Sequence, residues 1–289
     1  MHLLMILMIV GVGSGLRFLQ PPAPTRWVQR WQQALTRLMI PPLLLLTTAT
    51  AILWMGPEGQ MFGQTTGWIG YGLAWGFWGW AGITGMVLAV KGWQTTRQVR
   101  RYAPVNWQGL TARLLESPVP FCAQIGFWQP ELVVSQGLLE QLDPAQQQAV
   151  CVHEQAHVHY RDTFWFFWLG WCRRLSFGLP DTELLWQELL LLRELRADQR
   201  AAQQVDPLVL AETLLLMVRS PLDTPEHYWA GFSCLAPSHR LTERIDAILA
   251  HSLDQSTVWV DDSARLKNIW IWTGYLLVLL PLMAIPFHS

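Results

Sequence analysis

The chain has 289 residues, a formal net charge of −1 and only 14% charged residues, whereas an ordinary soluble domain carries roughly 25%. Hydrophobic residues make up 51% of the chain, and 18 of its residues are tryptophan. These values exclude a disordered chain, a nucleic-acid-binding protein that depends on net positive charge, and a small disulfide scaffold. They predict a membrane protein with a modest polar domain and without direct nucleic-acid binding.

Four apolar stretches predict membrane-spanning helices, at residues 3–16, 38–55, 68–90 and 269–287. The first is short for a span, and it lacks the preceding basic residues of a signal peptide. The third is long enough to span with some tilt. Glycines recur along the third span, at Gly72, Gly76, Gly79, Gly82 and Gly85. They predict either close packing with a partner helix or the general tolerance of membrane helices for glycine.

Lysine and arginine are unevenly distributed among the connecting segments, which predicts the orientation of the chain. The loop between the first two spans holds four arginines, the loop 56–67 holds no basic residue, and basic residues follow the third span at once. Because basic loops stay in the cytoplasm, the N-terminus and C-terminus are expected outside and residues 91–268 inside. We therefore expect a multi-pass protein of the inner or plasma membrane.

The first basic loop, residues 17–37, also carries an amphipathic pattern. Trp27, Trp31 and Leu35 recur at helical spacing, and arginines lie beside them. An apolar stripe flanked by basic residues is typical of a helix in the interface of a lipid bilayer. The loop is therefore predicted to contact the membrane from the cytosolic side.

A possible catalytic centre begins with a helix that carries the pattern H-E-x-x-H. Asp143 and Pro144 mark its start, as N-cap and first helical residue. His153 and His157 are four residues apart, so both imidazoles lie on one face and can reach one zinc ion. Glu154 beside them is a candidate catalytic base for a water molecule activated by the metal. Strand-like runs at 121–126 and 131–135 precede this helix.

A catalytic zinc site needs a third protein ligand, and a second predicted helix at residues 182–204 offers one. Glu194 and Asp198 lie on one face of it. We expect Glu194 to be the third ligand and Asp198 to accept a hydrogen bond from a ligand imidazole. Glu183 and Glu188 are rival ligands, but neither has an acidic residue four positions later. The alternative for Glu194 and Asp198 is a solvated helix face paired with neighbouring arginines.

These patterns lead to a family resemblance. The run from Gly126 to Leu139, the helix with His153, Glu154 and His157, and the pair Glu194 and Asp198 resemble membrane zinc peptidases of the BlaR/MecR antirepressor type. They also resemble the related HtpX and CAAX-prenyl-protease type, another gluzincin family. The first type is favoured by three spans, a cytosolic zinc domain and one more span. The penicillin-binding domain of its antibiotic-sensing members is not found, so a β-lactam receptor is not expected.

The resemblance implies a mainly α fold in which multi-pass membrane helices carry a cytosolic zincin-like α+β metallopeptidase domain. The expected organisation is three spans in residues 1–90, a zinc metallopeptidase domain in residues 91–268 and a fourth span in residues 269–289. The implied activity is a zinc-dependent endopeptidase that cleaves a cytosolic or membrane protein, such as a transcriptional repressor. The alternatives are an HtpX-like quality-control protease and a non-catalytic scaffold or sensor with a residual zinc site.

Peptide hydrolysis by such a site requires a substrate groove and an oxyanion donor. An extended substrate is expected to add a strand to the sheet edge formed by residues 121–135. A donor must stabilise the oxyanion. The sequence does not select among its candidates, which are His227, Tyr228, His239, Arg240 and Arg244.

Overall fold

The computed structural model describes residues 2–18, 27–58, 60–61, 64–65, 67–219, 240–253, 276 and 278–287. The described chain is mainly helical and contains one small mixed sheet in addition to a short hairpin. It divides into two compact units. The first comprises Met1–Val87, Leu169–Glu188 and Asp261–Ser289, and the second comprises Leu88–Trp168 and Leu189–Val260.

The first unit is built from apolar helices. It contains α1 (His2–Phe18), α2 (Trp27–Met55), the hairpin β1 (Gln60–Met61) and β2 (Gln64–Thr65), the larger part of α3 (Trp68–Val99), and a 3₁₀ helix at Leu280–Phe287. By length and composition, α2 and α3 are long and apolar enough to cross a membrane. They contain the second and third predicted spans.

The first and fourth predicted spans are not supported in the same way. The first corresponds to α1, an apolar helix of 17 residues that is shorter than those two. The fourth, at 269–287, lies partly outside the described residues. The four-span arrangement and its orientation therefore stay predictions.

The predicted interfacial helix is helical, but it does not end before the second span. Residues 27–37 form the first turns of α2, which continues through Pro41 and Pro42 to Met55. Trp27 is buried and stacks on Trp31 with ring centroids 5.2 Å apart. At Trp27 the apolar stripe therefore packs within the protein.

The sheet of the second unit has the order β3-β4-β6-β5. Its strands are β3 (Pro104–Trp107), β4 (Leu110–Leu115), β5 (Cys122–Ile125) and β6 (Glu131–Ser135). β4 pairs with β6 in parallel, and the other two pairings are antiparallel. The predictions at 121–126 and 131–135 are confirmed as β5 and β6, whereas β3 and β4 were not predicted. β5 lies at an edge of the sheet.

Six helices complete the described part of the chain. They are α4 (Gln136–Gln141), α5 (Pro144–His159), α6 (Asp162–Leu175), α7 (Thr182–Ala202), α8 (Pro207–Arg219) and α9 (Leu241–Leu253). The predicted start of α5 is confirmed: the Asp143 carboxylate accepts a hydrogen bond from the Gln146 backbone N–H at 2.9 Å. The Gln146 side chain accepts one from the Asp143 N–H at 3.1 Å, which completes a capping box.

α5 is held between two apolar clusters of the second unit. Val150 and Cys151 pack with buried residues of the sheet, such as Val134. Ala149 and Val152 belong to a second cluster, which also contains Ala201 of α7, Leu210 of α8 and Ile248 of α9. Because a well-packed helix has little freedom to rotate, the polar side chains on its remaining face are held in fixed directions.

Candidate metal centre

His153 and His157 lie one turn apart on α5 and are both buried. Their Nε2 atoms are 3.2 Å apart, and the two rings meet edge to face with centroids 4.8 Å apart. The spacing of four residues produces this approach, because side chains at i and i+4 lie above one another on a helix. The pair presents two ring nitrogens to one small volume.

Glu194 of α7 faces the same volume. Its Oε2 lies 3.3 Å from Nε2 of His153, and its Oε1 lies 3.6 Å from Nε2 of His157. The ligand atoms of the three residues all lie within 4.8 Å of one another, and all three side chains are buried. This His-His-Glu group could hold a metal ion. The rival carboxylates have other partners: Glu183 pairs with Arg173 and Glu188 pairs with Arg30.

The other ring nitrogen of each histidine faces a carboxylate. Nδ1 of His153 lies 2.9 Å from Oδ1 of Asp198, and Nδ1 of His157 lies 2.8 Å from Oδ2 of Asp162. A carboxylate at Nδ1 selects the tautomer with the proton on Nδ1, which leaves a lone pair on Nε2. Asp198 lies beside His153, and its role as acceptor for a ligand imidazole stays a prediction.

The chemistry of these donors fits a metal ion. With both protons on Nδ1, the two Nε2 lone pairs face each other and the Glu194 oxygens, so only acceptors converge on the volume between them. Burial disfavours a charged His153, but Asp198 and Glu194 outweigh burial and raise the pKa of its imidazole to about 10. The residues around His153 therefore favour a positive charge beside its ring. A cation bound between the ligand atoms would provide that charge.

Three buried arginines accompany four buried carboxylates around this volume: Arg193, Arg196 and Arg244 with Glu154, Asp162, Glu194 and Asp198. Among the described residues, these carboxylates outnumber the arginines by one, which also favours a cation. Burial alone would raise the pKa of Glu194, but the charges of Arg193 and Arg244 hold it well below its usual range. Glu194 is therefore an ionised carboxylate, the form that binds a metal.

Arg244 of α9 contacts two of these carboxylates. Its Nε donates to Oδ2 of Asp198 at 2.7 Å, its Nη2 donates to Oδ1 at 2.8 Å, and its Nη1 lies 3.3 Å from Oε2 of Glu194. A guanidinium that binds both oxygens of a carboxylate fixes the orientation of that carboxylate. Arg244 was an oxyanion candidate in the sequence, but its donors are directed at Asp198 and Glu194.

Glu154 is buried next to the two histidines on α5. Burial raises the pKa of its carboxyl, although the neighbouring His157 and His153 partly oppose this effect. A carboxyl group with a raised pKa is a better proton acceptor near neutral pH than an ordinary glutamate. The geometry and the electrostatics of Glu154 thus suit a base.

The remaining candidates lie elsewhere or outside the described residues. Arg240 forms an ion pair with Glu243, three residues later, in which Nη2 and Oε2 are 2.7 Å apart. His159 packs edge to face on Tyr160 and is exposed. Three oxyanion candidates lie outside the described residues: His227, Tyr228 and His239.

Sequence reasoning missed part of the surrounding network. Asp162 lies at the start of α6 and also against His157. The alternative paired Glu194 and Asp198 with neighbouring arginines on a solvated helix face, whereas Arg193 and Arg196 are buried and contact Glu194 and Asp162. The position of Asp162 in the chain could have indicated its contact with His157, because Asp162 follows His157 by five residues, just after the end of α5.

No family model, curated protein or solved structure matches this chain. The group of His153, His157 and Glu194, with the residues around it, is therefore the feature from which a function can be inferred.

Proposed function

We propose that the protein is an integral membrane zinc-dependent endopeptidase that hydrolyses peptide bonds of a cytosolic or membrane protein. The observation that carries this proposal is the convergence of His153, His157 and Glu194 with Glu154 beside them. Two histidines and one glutamate form a ligand set of catalytic zinc sites, in which the fourth position stays open. Imidazole and carboxylate donors at tetrahedral spacing suit zinc better than they suit magnesium or calcium, which prefer oxygen ligands.

The residues of the chain would divide the chemistry between them. When bound, zinc supplies a Lewis acid that polarises the scissile carbonyl and makes water more acidic. Glu154 would accept the proton of the attacking water and return it to the leaving amine. Asp198 and Asp162 would hold the imidazoles with Nε2 toward the ion, and Arg244 would hold Asp198.

The position of β5 supports a peptide as the substrate. Among the described residues β5 pairs with β6 alone, so its outer edge has no strand partner there, although its four residues are buried. α5 packs against β5, and Cys122 of β5 is close enough to Glu154 for the two to interact electrostatically. An extended substrate bound along this edge would run past the proposed base.

The membrane setting of the proposal comes from the apolar helices and the basic residues. α2 and α3 are long and apolar enough to span. The distribution of arginine and lysine supports a cytoplasmic peptidase unit, and the resemblance to the BlaR/MecR antirepressor type supports a repressor or membrane protein as substrate. The recurring glycines of α3 support a packing partner for that helix.

The test compares the full chain in detergent with the variant Glu154→Gln. Zinc content is measured on each protein, and cleavage is measured on the chain itself and on an unfolded protein substrate. We expect equimolar zinc in both proteins and cleavage by the wild type only. Glu212→Gln is the matched control, because Glu212 is an exposed glutamate on α8, and it should cleave like the wild type.

Two results would contradict the proposal. A folded wild-type chain that takes up no zinc would exclude the ligand assignment. Equal cleavage by the wild type and Glu154→Gln would exclude Glu154 as the base. Glu194→Gln should lose zinc under conditions in which Glu154→Gln retains it, which separates the ligand from the base.

A further inference from the structure

Aromatic side chains cluster on the surface of the second unit. They come from two segments, the loop that follows β5 and the first turns of α6. We call this set the aromatic patch, and its members are Phe127, Trp128, Phe164, Trp165, Phe167 and Trp168. Phe127 joins the two segments, with ring centroids 5.1 Å from Phe164 and 4.8 Å from Phe167.

The patch is exposed although it is packed within itself. Trp128 is 70% exposed, Trp165 is 56% exposed and Trp168 is 41% exposed. Trp128 meets Phe164 edge to face at 5.3 Å, so the exposed indoles are supported by rings beneath them. Contiguous exposed aromatic surface of this kind marks an interaction site on a protein.

Within the two segments that form the patch, the exposed charge is that of Arg161. The loop 126–130 contains no charged residue, and Arg161 at the edge of α6 is exposed. Asp162 is buried against Arg196 and His157, so it presents no negative charge there. Indole rings beside an exposed arginine suit the headgroup layer of an anionic bilayer, where tryptophan is enriched.

The chain itself keeps a bilayer within reach of this unit. The last turns of α3, from Leu88 to Val99, belong to the same unit as the patch. The sheet begins at Pro104, a few residues after α3 ends. We propose, on the basis of the membrane setting proposed above, that the aromatic patch inserts into the interfacial layer of that membrane.

The experiment places a fluorescent label on the patch. Trp128→Cys and Trp165→Cys are each made in the full chain, together with Cys234→Ser. The three other cysteines are buried free thiols: Cys122, Cys151 and Cys172. The labelled proteins are reconstituted into vesicles of phosphatidylcholine and phosphatidylglycerol in which some lipids carry bromine on the acyl chain. Leu208→Cys, on the α8 helix and 62% exposed, is the matched control.

We expect the brominated lipid to quench both patch labels several-fold more strongly than the label at position 208. Aqueous iodide should show the opposite order. Quenching by lipid that is equal at all three positions would overturn the proposal. Labels on the patch that are shielded from both lipid and iodide would also overturn it, because a protein partner would then cover the patch.

This inference goes beyond the peptidase proposal and can fail separately from it. Labelling reports the position of the patch whether or not the chain holds zinc or cleaves a substrate. Glu154→Gln leaves the patch unchanged, so it should give the same quenching as the wild-type background.

Discussion

Oδ2 of Asp162 lies 2.8 Å from Nδ1 of His157, and Oδ1 of the same carboxylate accepts a hydrogen bond from Arg196 of α7. One side chain at the start of α6 therefore connects the helix of the two histidines with the helix of Glu194. An imidazole whose Nδ1 is held in this way can offer only Nε2 to a metal ion.

Replacement of Asp162 by asparagine tests this connection. Asp162→Asn retains the shape of the side chain but removes the charge that holds His157. The zinc affinity should fall by about tenfold or more, the range that partners of ligand histidines contribute. Competition with a chromophoric chelator measures the affinity. Asp206→Asn, an exposed site beside α8, should bind zinc like the wild type, and an unchanged affinity in Asp162→Asn would refute the role of Asp162.

Loss of Arg244 should destabilise the second unit. Arg244→Gln leaves Asp198 buried without the guanidinium that binds both of its oxygens, and breaking a buried ion pair costs about 3–5 kcal/mol. Thermal unfolding followed by tryptophan fluorescence should show a lower midpoint. Arg100→Gln is the control, because Arg100 is 53% exposed in its pair with Glu131 and such pairs contribute about 0–1 kcal/mol. Equal midpoints for the two variants would show that the Arg244 contacts carry no stability.

The backbone approaches Gly137 so closely that a larger residue at this position is predicted to destabilise the protein. A Cβ atom on this residue of α4 would lie 2.0 Å from the Pro118 carbonyl oxygen, so the backbone must move to accept it. Gly137→Ala should lower the free energy of unfolding by roughly 1–3 kcal/mol. Gly82→Ala provides the comparison, since a Cβ there meets nothing within 4 Å, and alanine favours a helix. A Gly137→Ala protein as stable as the wild type would contradict this contact.

The start of α5 should respond to loss of its cap. Asp143→Ala removes the acceptor of the Gln146 N–H and should cost about 1 kcal/mol, whereas Asp143→Asn retains an acceptor and should cost less. Hydrogen exchange should become faster in the first turn of α5 in the alanine variant. The same exchange rate in both variants would mean that the side chain of Asp143 does not hold the helix start.

The sequence was most informative where the pattern is local. The start of α5 at Asp143 and the shared face of His153 and His157 follow from chain spacing, because a helix repeats every 3.6 residues. The same helical repeat predicted that Glu194 and Asp198 lie on one face of their helix. β3 is only four residues long, and the alternation of apolar and polar residues from Leu110 to Leu114 in β4 was not recognised.

The missing part of the site depends on distant pairing. The neighbouring sequence does not distinguish Arg244 from Arg240. The packing of α9 on α5 and α8 determines which arginine reaches Asp198. The approach of Arg196 to Asp162 likewise joins two helices whose relative placement the chain spacing does not specify. Tertiary packing selects these partners.

Arg244 follows Asp198 by 46 residues, so this arginine is synthesised after the carboxylate that it contacts. The ribosome releases the histidines and Glu194 well before it releases α9, so a nascent chain holds the acidic residues of the site before their last counterion exists. Buried carboxylates without that counterion disfavour the closed arrangement. We therefore expect the site to take its final geometry only late in translation, when most of the chain has left the ribosome. A metal centre assembled in this order would be incomplete while the chain is still being made.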